Sequence, residues 1–102
     1  MNEFEDDGEV STGFDELVKL PPKYKVILLN DDFTTKEFVV FVLMRVFKKP
    51  EAEAEAIMES VHRTGRGIAG VYSYDIALTR REMTTQLARS NGFPLKCAIE
   101  KE

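Results

Sequence analysis

In the stretch KVILLNDDFTTKE, residues 25–37, an apolar segment typical of a β-strand is followed directly by three polar residues and the pattern of a helix start. The strand is predicted over Tyr24–Leu29. Its residues are apolar on both sides for most of its length, which indicates burial beneath a covering layer. Asn30, Asp31 and Asp32 are poor strand residues whose side chains bond nearby backbone, so the strand is predicted to end at Asn30.

A helix start follows this polar triplet. Thr34 and Glu37 match the S/T-x-x-E capping box, and Phe33 and Phe38 occupy the two positions of a hydrophobic staple. The pattern predicts a helix over about residues 35–48, buried on most of its circumference. The triplet could therefore hold acceptors toward a ligand, although polar residues of this kind are more often only turn and cap residues.

The chain of 102 residues is expected to form one globular domain, with 43% hydrophobic and 31% charged residues. Its longest apolar run, Phe38–Met44, is far shorter than a membrane span. No signal-peptide pattern is present at the start, so a cytoplasmic location is expected. The only cysteine, Cys97, leaves no internal disulfide and no multi-cysteine metal site, and its alternating apolar segment predicts a buried, inert thiol.

The charge is unevenly distributed along the chain. Residues 1–20 contain seven acids and one base, which gives −6, so the total of −4 leaves +2 for residues 21–102. The first segment is predicted to be a flexible acidic extension, and Pro21 and Pro22 mark its boundary with a core domain over residues 21–102. Apolar residues such as Phe14 lie among the acids, which favours engagement of a partner.

A second helix is the most clearly marked element. Pro50 fits its first position, acidic residues follow in its first turns, and Gly65 fits its C-cap. Its buried stripe is predicted at Ala54, Ile57, Met58 and Val61. His62, the only histidine, falls in its last turn, where a histidine most often interacts with the helix dipole in solvent.

The remaining elements are a strand, a helix and a strand. Residues 67–73 have β character, with two glycines that allow another element to pack closely. The third helix ends near residues 91–92, and its start is marked either by Ser73 or by a capping box of Thr79 and Glu82. The final strand alternates, with its apolar set at Leu95, Cys97 and Ile99. The order β-α-α-β-α-β predicts an α+β domain whose helices pack on one face of a three-stranded antiparallel sheet.

Few kinds of chemistry are compatible with these residues. Nucleophile-elbow, Walker A, HExxH and EF-hand patterns are absent from the sequence, and Asp31 with Asp32 is only a weak indication of a cation site. We therefore expect no catalytic residues, no metal and no cofactor. Nucleic-acid binding is disfavoured because the core is nearly balanced in charge and no aromatic pair accompanies the arginines, which include Arg63, Arg66, Arg80 and Arg81.

In combination, the motifs PPKYKVILLNDDFT, EFV at 37–39, AIMESVHRTG, GVYSYDIA and PLKC resemble the ClpS family. These are bacterial adaptors that recognise N-degrons and hand them to the AAA+ unfoldase ClpA. The resemblance spans Pro21–Glu102. It implies that N-degron substrates and ClpA of the Clp protease are the partners, with no nucleic acid and no membrane. It also implies that the acidic extension enters the unfoldase and serves delivery rather than recognition.

The resemblance further implies a site for the free α-amino group and the bulky first side chain (Leu, Phe, Tyr or Trp) of a substrate. Asn30, Asp31 and His62 would bind the amino group, whose three donors and charge suit amide and carboxylate acceptors. The side-chain pocket would comprise Thr34, Lys36, Val39, Met58, Val61 and Leu95. The unfoldase would contact Asp75 and Arg80.

The chain departs from the family where Pro-Met usually follows the capping threonine, since Thr35 and Lys36 stand there. The family's methionine helps to exclude β-branched first residues. Lys36 could cover the pocket with its aliphatic stem, but its charge is expected to weaken binding of an amine. A non-enzymatic adaptor is the leading interpretation. The alternatives are an interaction module of similar fold without N-terminal recognition, like the C-terminal domain of the ribosomal stalk protein, and a hydrolase.

Overall fold

The fold is taken from a computed structural model that describes residues 20–102. Its elements are β1 (Tyr24–Leu29), α1 (Lys36–Arg45), α2 (Glu51–Thr64), β2 (Arg66–Tyr72), α3 (Tyr74–Ser90) and β3 (Lys96–Lys101). This is the predicted β-α-α-β-α-β order. The expectations for residues 1–19 lie outside the described part of the chain.

The sheet has three antiparallel strands in the order β2-β1-β3, as predicted. Val26 and Leu28 of β1 are fully buried, and they belong to a core cluster that also contains residues of all three helices. The pairing of β1 with β2 shifts where Val26 faces Gly70 and Ile27 faces Ile68. The shift leaves Ala69 as an extra residue, as in a β-bulge.

The start of α1 differs from the prediction by one residue. Thr35, not Thr34, is the N-cap, and its hydroxyl accepts a hydrogen bond from the Phe38 N–H at 3.1 Å. Thr34 belongs to the preceding turn because its N–H and its hydroxyl both donate to Asp31. The predicted capping box of Thr34 and Glu37 was therefore wrong, because the Asp31 carboxylate takes the groups that would have formed it.

The predicted staple was also wrong, since Phe33 is 77% exposed. Its intended partner Phe38 packs instead against Phe93, with ring centroids 4.7 Å apart. The helix ends at Arg45, three residues earlier than predicted, and Lys48 takes a left-handed conformation with φ 59° in the following connection. Only one side of α1 is buried.

The second helix follows its predicted course closely. Pro50 is its N-cap rather than its first residue. Gly65 is the C-cap, with φ 94° and an N–H that donates to the Val61 carbonyl at 3.0 Å. A Cβ at Gly67 would lie 2.7 Å from Val61 Cγ2 and 3.1 Å from the Ile57 carbonyl oxygen. The absence of a side chain at Gly67 thus allows α2 to lie close against β2, as the sequence predicted.

The third helix begins after Ser73, the earlier of its two predicted starts. Thr79 lies inside it and donates to the Asp75 carbonyl at 3.1 Å, so it caps nothing. In β3, Cys97 and Ile99 pack against the core as predicted. Burial raises the pKa of the Cys97 thiol to about 11, which leaves little thiolate at neutral pH. Within residues 20–102, every helix is too short or too polar to cross a membrane.

Candidate functional site

A cavity of about 270 Å³ opens where the end of β1, the start of α1 and the last turns of α2 meet. Its lining residues are Asn30, Asp31, Asp32, Thr34, Lys36, Val39, Met58, Val61 and His62. An apolar cavity of about 150 Å³ can hold benzene. The cavity therefore has room for one bulky side chain together with a small polar group.

One backbone hydrogen bond fixes the two halves of the cavity mouth. The Asn30 N–H, directly after β1, donates to the carbonyl of Gly65, the α2 C-cap, at 3.0 Å. Because His62 lies in the last turn of α2, this bond sets the histidine beside the polar triplet at the end of β1. Asn30 and His62, which are 32 positions apart in the sequence, therefore lie at the same cavity.

The Asp31 carboxylate organises the turn between β1 and α1. Its Oδ1 accepts from the N–H of Phe33 at 2.8 Å and from that of Thr34 at 2.7 Å. Its Oδ2 accepts from the Thr34 hydroxyl at 2.7 Å. Since an ionised carboxylate has about four acceptor positions, Asp31 retains capacity for a further donor from the cavity.

The same contacts determine the ionisation of Asp31. Partial burial raises its pKa, but the hydrogen bonds from Thr34 and Phe33 and the positive charge of Arg89 outweigh burial and hold the pKa below its ordinary value of 3.8. At neutral pH the cavity mouth thus carries a full negative charge at Asp31.

The wall opposite this polar mouth is apolar. Val39 of α1 and Val61 of α2 are 5% and 2% exposed, and Met58 is half-buried. A methionine in such a position adapts its shape to the group beside it. The cavity thus combines an anionic mouth with an apolar wall, a pairing that suits an amphiphilic cation.

Lys36, the first residue of α1, stands at the rim of the cavity and is exposed. Two carboxylates and one ammonium among the lining residues give a net charge of −1 with a neutral histidine. Lys36 also borders an adjoining groove lined by Glu37, Glu51 and Glu55. These acids partly offset the positive charge of Lys36 near the cavity, which the sequence alone did not indicate.

Eight of the residues expected to bind a substrate lie around this one cavity: Asn30, Asp31, Thr34, Lys36, Val39, Met58, Val61 and His62. Leu95 is not among the lining residues; it is 1% exposed and belongs to the hydrophobic core. Asp32 does line the cavity, although the family resemblance did not include it in the binding set. The sequence feature that could have indicated this location is the position of Asp32 next to Asp31 in the polar triplet.

Asp75 and Arg80 lie on α3 and not at the cavity. Asp75 is exposed in the first turn of that helix. The Arg80 guanidinium donates to the Val46 carbonyl at 2.9 Å and stands 5.8 Å from the centre of the Tyr72 ring. Arg80 therefore already has a packing role within the domain.

Metal binding has little support at this site. Within residues 20–102, no three side chains of His, Cys, Asp or Glu are grouped so that they could hold an ion. The Asp31 carboxylate is largely occupied by the turn. The acceptors at the mouth are better matched to an ammonium group, which needs hydrogen-bond acceptors rather than a coordination shell.

The fold and the cavity define a small α+β domain with a ligand-sized cavity that has an anionic mouth and an apolar wall. The family model described as ATP-dependent Clp protease adaptor protein ClpS matches residues 19–98. The chain belongs to the ClpS adaptor family, and the resemblance drawn from its motifs is confirmed. ClpS adapter proteins that it resembles include that of Desulfotalea psychrophila, 44% identical over all of both chains. That of Desulfatibacillum aliphaticivorans is 49% identical over 96% of this chain and 94% of its own length.

A solved structure is similar as well. ClpS2 of Agrobacterium tumefaciens, bound to L-phenylalaninamide, superimposes with a TM-score of 0.78. Its sequence is 42% identical, and the match covers 81% of this chain and all of that chain. The α+β fold assigned from the sequence is thus shared with an experimentally determined relative.

Proposed function

We propose that this chain is a non-enzymatic adaptor of the cytoplasm. It binds the free α-amino group and the bulky hydrophobic first residue (Leu, Phe, Tyr or Trp) of N-degron substrates and delivers them to the AAA+ unfoldase ClpA of the Clp protease. The observation that carries the proposal is the cavity itself, in which acceptors of Asn30, Asp31 and His62 adjoin an apolar wall from α1 and α2. Membership of the ClpS family supports the same role.

The amino group accounts for the polar half of the site. A free N-terminus presents three N–H donors and a positive charge. The Asn30 side-chain oxygen, the remaining capacity of the Asp31 carboxylate and a neutral His62 nitrogen provide three acceptors at the mouth. Acetylation leaves one N–H and no charge, so a blocked N-terminus loses the charge-assisted hydrogen bonds, which are the strong ones.

The first side chain accounts for the apolar half. Burying a Leu- or Phe-sized side chain contributes about 1.5–3 kcal/mol. The walls that would receive it are Val39, Met58 and Val61, on two different helices. Because these helices pack against one core, the pocket is largely preformed. A first residue with a small or charged side chain would forgo this contribution.

Fluorescence anisotropy with labelled peptides tests recognition. A peptide beginning with Phe or Leu is expected to bind, and the same peptide acetylated at its N-terminus is expected to bind far more weakly. A peptide beginning with Ile, which matches Leu in size but branches at Cβ, measures selectivity at the Lys36 rim. Equal affinity for the free and the acetylated peptide would contradict the proposal and favour an interaction module without N-terminal recognition.

A reconstituted degradation assay tests delivery. A reporter protein with an N-terminal Phe is expected to be degraded by ClpA and its protease only when this chain is present. The adaptor alone should cleave neither the reporter nor a fluorogenic peptide. Turnover by the isolated chain would support the hydrolase alternative. Peptide binding without degradation of the reporter would support the proposed recognition of N-degrons and contradict the proposed delivery to ClpA.

A further inference from the structure

The outer face of the sheet, turned away from the helices, combines an apolar centre with a positive charge. Strand pairing places its nine residues in three rows: Val71, Lys25 and Glu100; Ile68, Ile27 and Ala98; Arg66, Leu29 and Lys96. Residues directly opposed in a sheet share one face. Within residues 20–102 no helix covers these rows, because the helices of that part share a core with the inner face of the sheet.

An ion pair partly covers the middle of the outer face. Arg66 on β2 donates to the Glu100 carboxylate on β3 at 3.0 Å, and the pair must cross β1, which lies between those strands. Ile27 occupies the central row beneath that crossing and is 0% exposed. The edge row is less protected, with Ile68 47% and Val71 39% exposed. The uncovered apolar surface therefore runs along β2.

The charges of the outer face are complementary to one segment of the chain itself. Lys25, Arg66 and Lys96 against Glu100 give the face a net charge of +2. Residues 1–19 contain seven acids and one base, a net charge of −6, with Phe4, Val10, Phe14, Leu17 and Val18 among them. Such a composition matches both the positive charge and the apolar surface of the face.

The chain length and its point of attachment permit this contact. Nineteen residues reach at most about 65 Å when extended, whereas a six-residue strand such as β1 is about 20 Å long. The segment joins the domain just before β1, where the Glu102 N–H donates to the Lys23 carbonyl at 2.8 Å. It thus leaves the domain at the end of the outer face where Lys25 lies.

The cavity is an unfavourable place for the same segment. Its mouth has Asp31 and Asp32 against Lys36, and Glu51 and Glu55 border the adjoining groove. An acidic segment is repelled there and attracted to the outer face.

We propose that the outer face of the sheet binds the chain's own acidic N-terminal segment, residues 1–19, with its apolar side chains on Ile68 and Val71 and its acids near Lys25 and Lys96. The contact is intramolecular. It is independent of substrate recognition at the cavity.

Paramagnetic relaxation enhancement on the full chain tests the proposal. A nitroxide is attached at Ser11→Cys, while the partly buried Cys97, whose thiol pKa is about 11, reacts slowly at neutral pH. The amide signals of Ile68, Val71 and Ala98 are expected to lose more than half of their intensity. Those of Phe41 and Met83, exposed on the helices, are expected to keep theirs. Equal losses on the helices, or no loss on the sheet, would overturn the proposal.

Matched variants separate a specific contact from a general charge effect. Lys25→Gln with Lys96→Gln is expected to restore the sheet signals at least twofold. Lys48→Gln with Arg63→Gln changes the net charge equally and should leave the losses in place. About 0.5 M salt should weaken the contact, as the substitutions of Lys25 and Lys96 do. If the sheet amides still lose intensity after both lysine substitutions and in high salt, charge complementarity is excluded. The proposal that residues 1–19 bind the outer face would then be overturned.

A mixing experiment identifies the occupant. Isotope-labelled chain without nitroxide is combined with unlabelled chain that carries it. Losses at Ile68 in this mixture would show that the face binds a second copy and would contradict the intramolecular contact. Unchanged spectra, together with losses in the singly labelled chain, would support it.

Discussion

Asp31 combines two roles that substitution can separate. Its carboxylate accepts three hydrogen bonds within the turn from Phe33 and Thr34, which is a structural role. Its charge faces the cavity, where we propose that it binds the substrate amino group. Loss of the whole side chain removes both contributions, whereas loss of the charge alone removes mainly the second.

Asp31→Asn is therefore expected to lower peptide affinity at least tenfold with little loss of stability. The amide oxygen can still accept from the backbone N–H groups, but the charge that strengthens a bond to an ammonium group is gone. Asp31→Ala should lose affinity and also about 0.5–2 kcal/mol of stability, a cost comparable to loss of a helix N-cap. Anisotropy and urea unfolding measure the two effects. Wild-type affinity in Asp31→Asn would exclude the charge from recognition.

The lowered pKa of Asp31 also predicts a pH dependence of folding. The folded chain holds this proton less tightly than the unfolded chain, so the contribution of Asp31 to stability is present above its ordinary pKa of 3.8. It is lost as the pH falls from there through the lowered folded value. Urea unfolding between pH 5 and pH 2 should show a smaller loss of stability in Asp31→Asn than in wild type. Equal slopes would indicate that other carboxylates dominate.

Lys36 lies at the rim of the cavity, at a position where the family resemblance led us to expect a methionine. Lys36→Met removes a positive charge near the proposed amine site and restores an apolar side chain at the rim. We expect tighter binding of a Phe-initiated peptide and a larger preference for Leu over Ile. Lys48→Met, which removes the same charge away from the cavity, is the control for long-range electrostatics. An unchanged Leu-to-Ile ratio would exclude Lys36 as a selectivity residue.

At the scale of elements, the site depends on how α2 is placed on the sheet. The hydrogen bond from Asn30 to Gly65 joins the end of β1 to the end of α2. Gly67 of β2 lies against Val61 and Ile57 of the same helix. Since α2 contributes Met58, Val61 and His62 to the cavity, a small displacement of this helix changes the site.

Gly67→Ala is expected to destabilise the domain by about 1–3 kcal/mol, as overpacking typically does. Its Cβ would lie 2.7 Å from Val61 Cγ2 and 3.1 Å from the Ile57 carbonyl oxygen, and backbone cannot yield as a side chain can. Peptide affinity should fall as well, because the helix must move. Val71→Ala, on the outer face of the same strand, should leave affinity unchanged. Affinity that survives in Gly67→Ala would mean that the site tolerates displacement of α2.

At the scale of the whole molecule, the proposed functions occupy different surfaces. The cavity lies at the end of β1, and Asp75 and Arg80 lie on α3. The acidic segment precedes the described domain. Recognition of a substrate and its delivery should therefore be separable by altering one surface at a time.

Deletion of residues 1–19 is expected to leave peptide affinity within about twofold of the full chain, because the acidic mouth of the cavity, with Asp31 and Asp32, repels an acidic segment. Degradation of a Phe-initiated reporter by ClpA and its protease should be lost. Anisotropy and the degradation assay are run on the same preparations, and thermal unfolding checks that the core is intact. Weaker peptide binding by the shortened chain would assign the segment a part in recognition.

Local sequence patterns were enough to predict the order of the elements, the end of β1 just before Asn30 and the end of α2 just before Gly65. These features depend on short-range chemistry, namely hydrophobic periodicity, the turn preference of Asn and Asp, and the left-handed conformation open to glycine. The candidate site could be predicted only in part from such short-range chemistry. Local chemistry alone favoured a plain turn and a solvent-facing His62, and the binding set came from the family motifs taken in order.

Other features could be read only from the tertiary structure. They depend on contacts between residues that are far apart in the sequence, or on a choice between two neighbouring residues that could each fill the same position. Thr35 rather than Thr34 is the N-cap of α1, because the N–H and the hydroxyl of Thr34 both donate to the Asp31 carboxylate. Leu95 is buried in the core, as its place in the alternating apolar set predicted, and it does not line the cavity to which the family resemblance assigned it. His62 meets the polar triplet only through the placement of α2 on the sheet, since no local pattern specifies a contact across thirty residues.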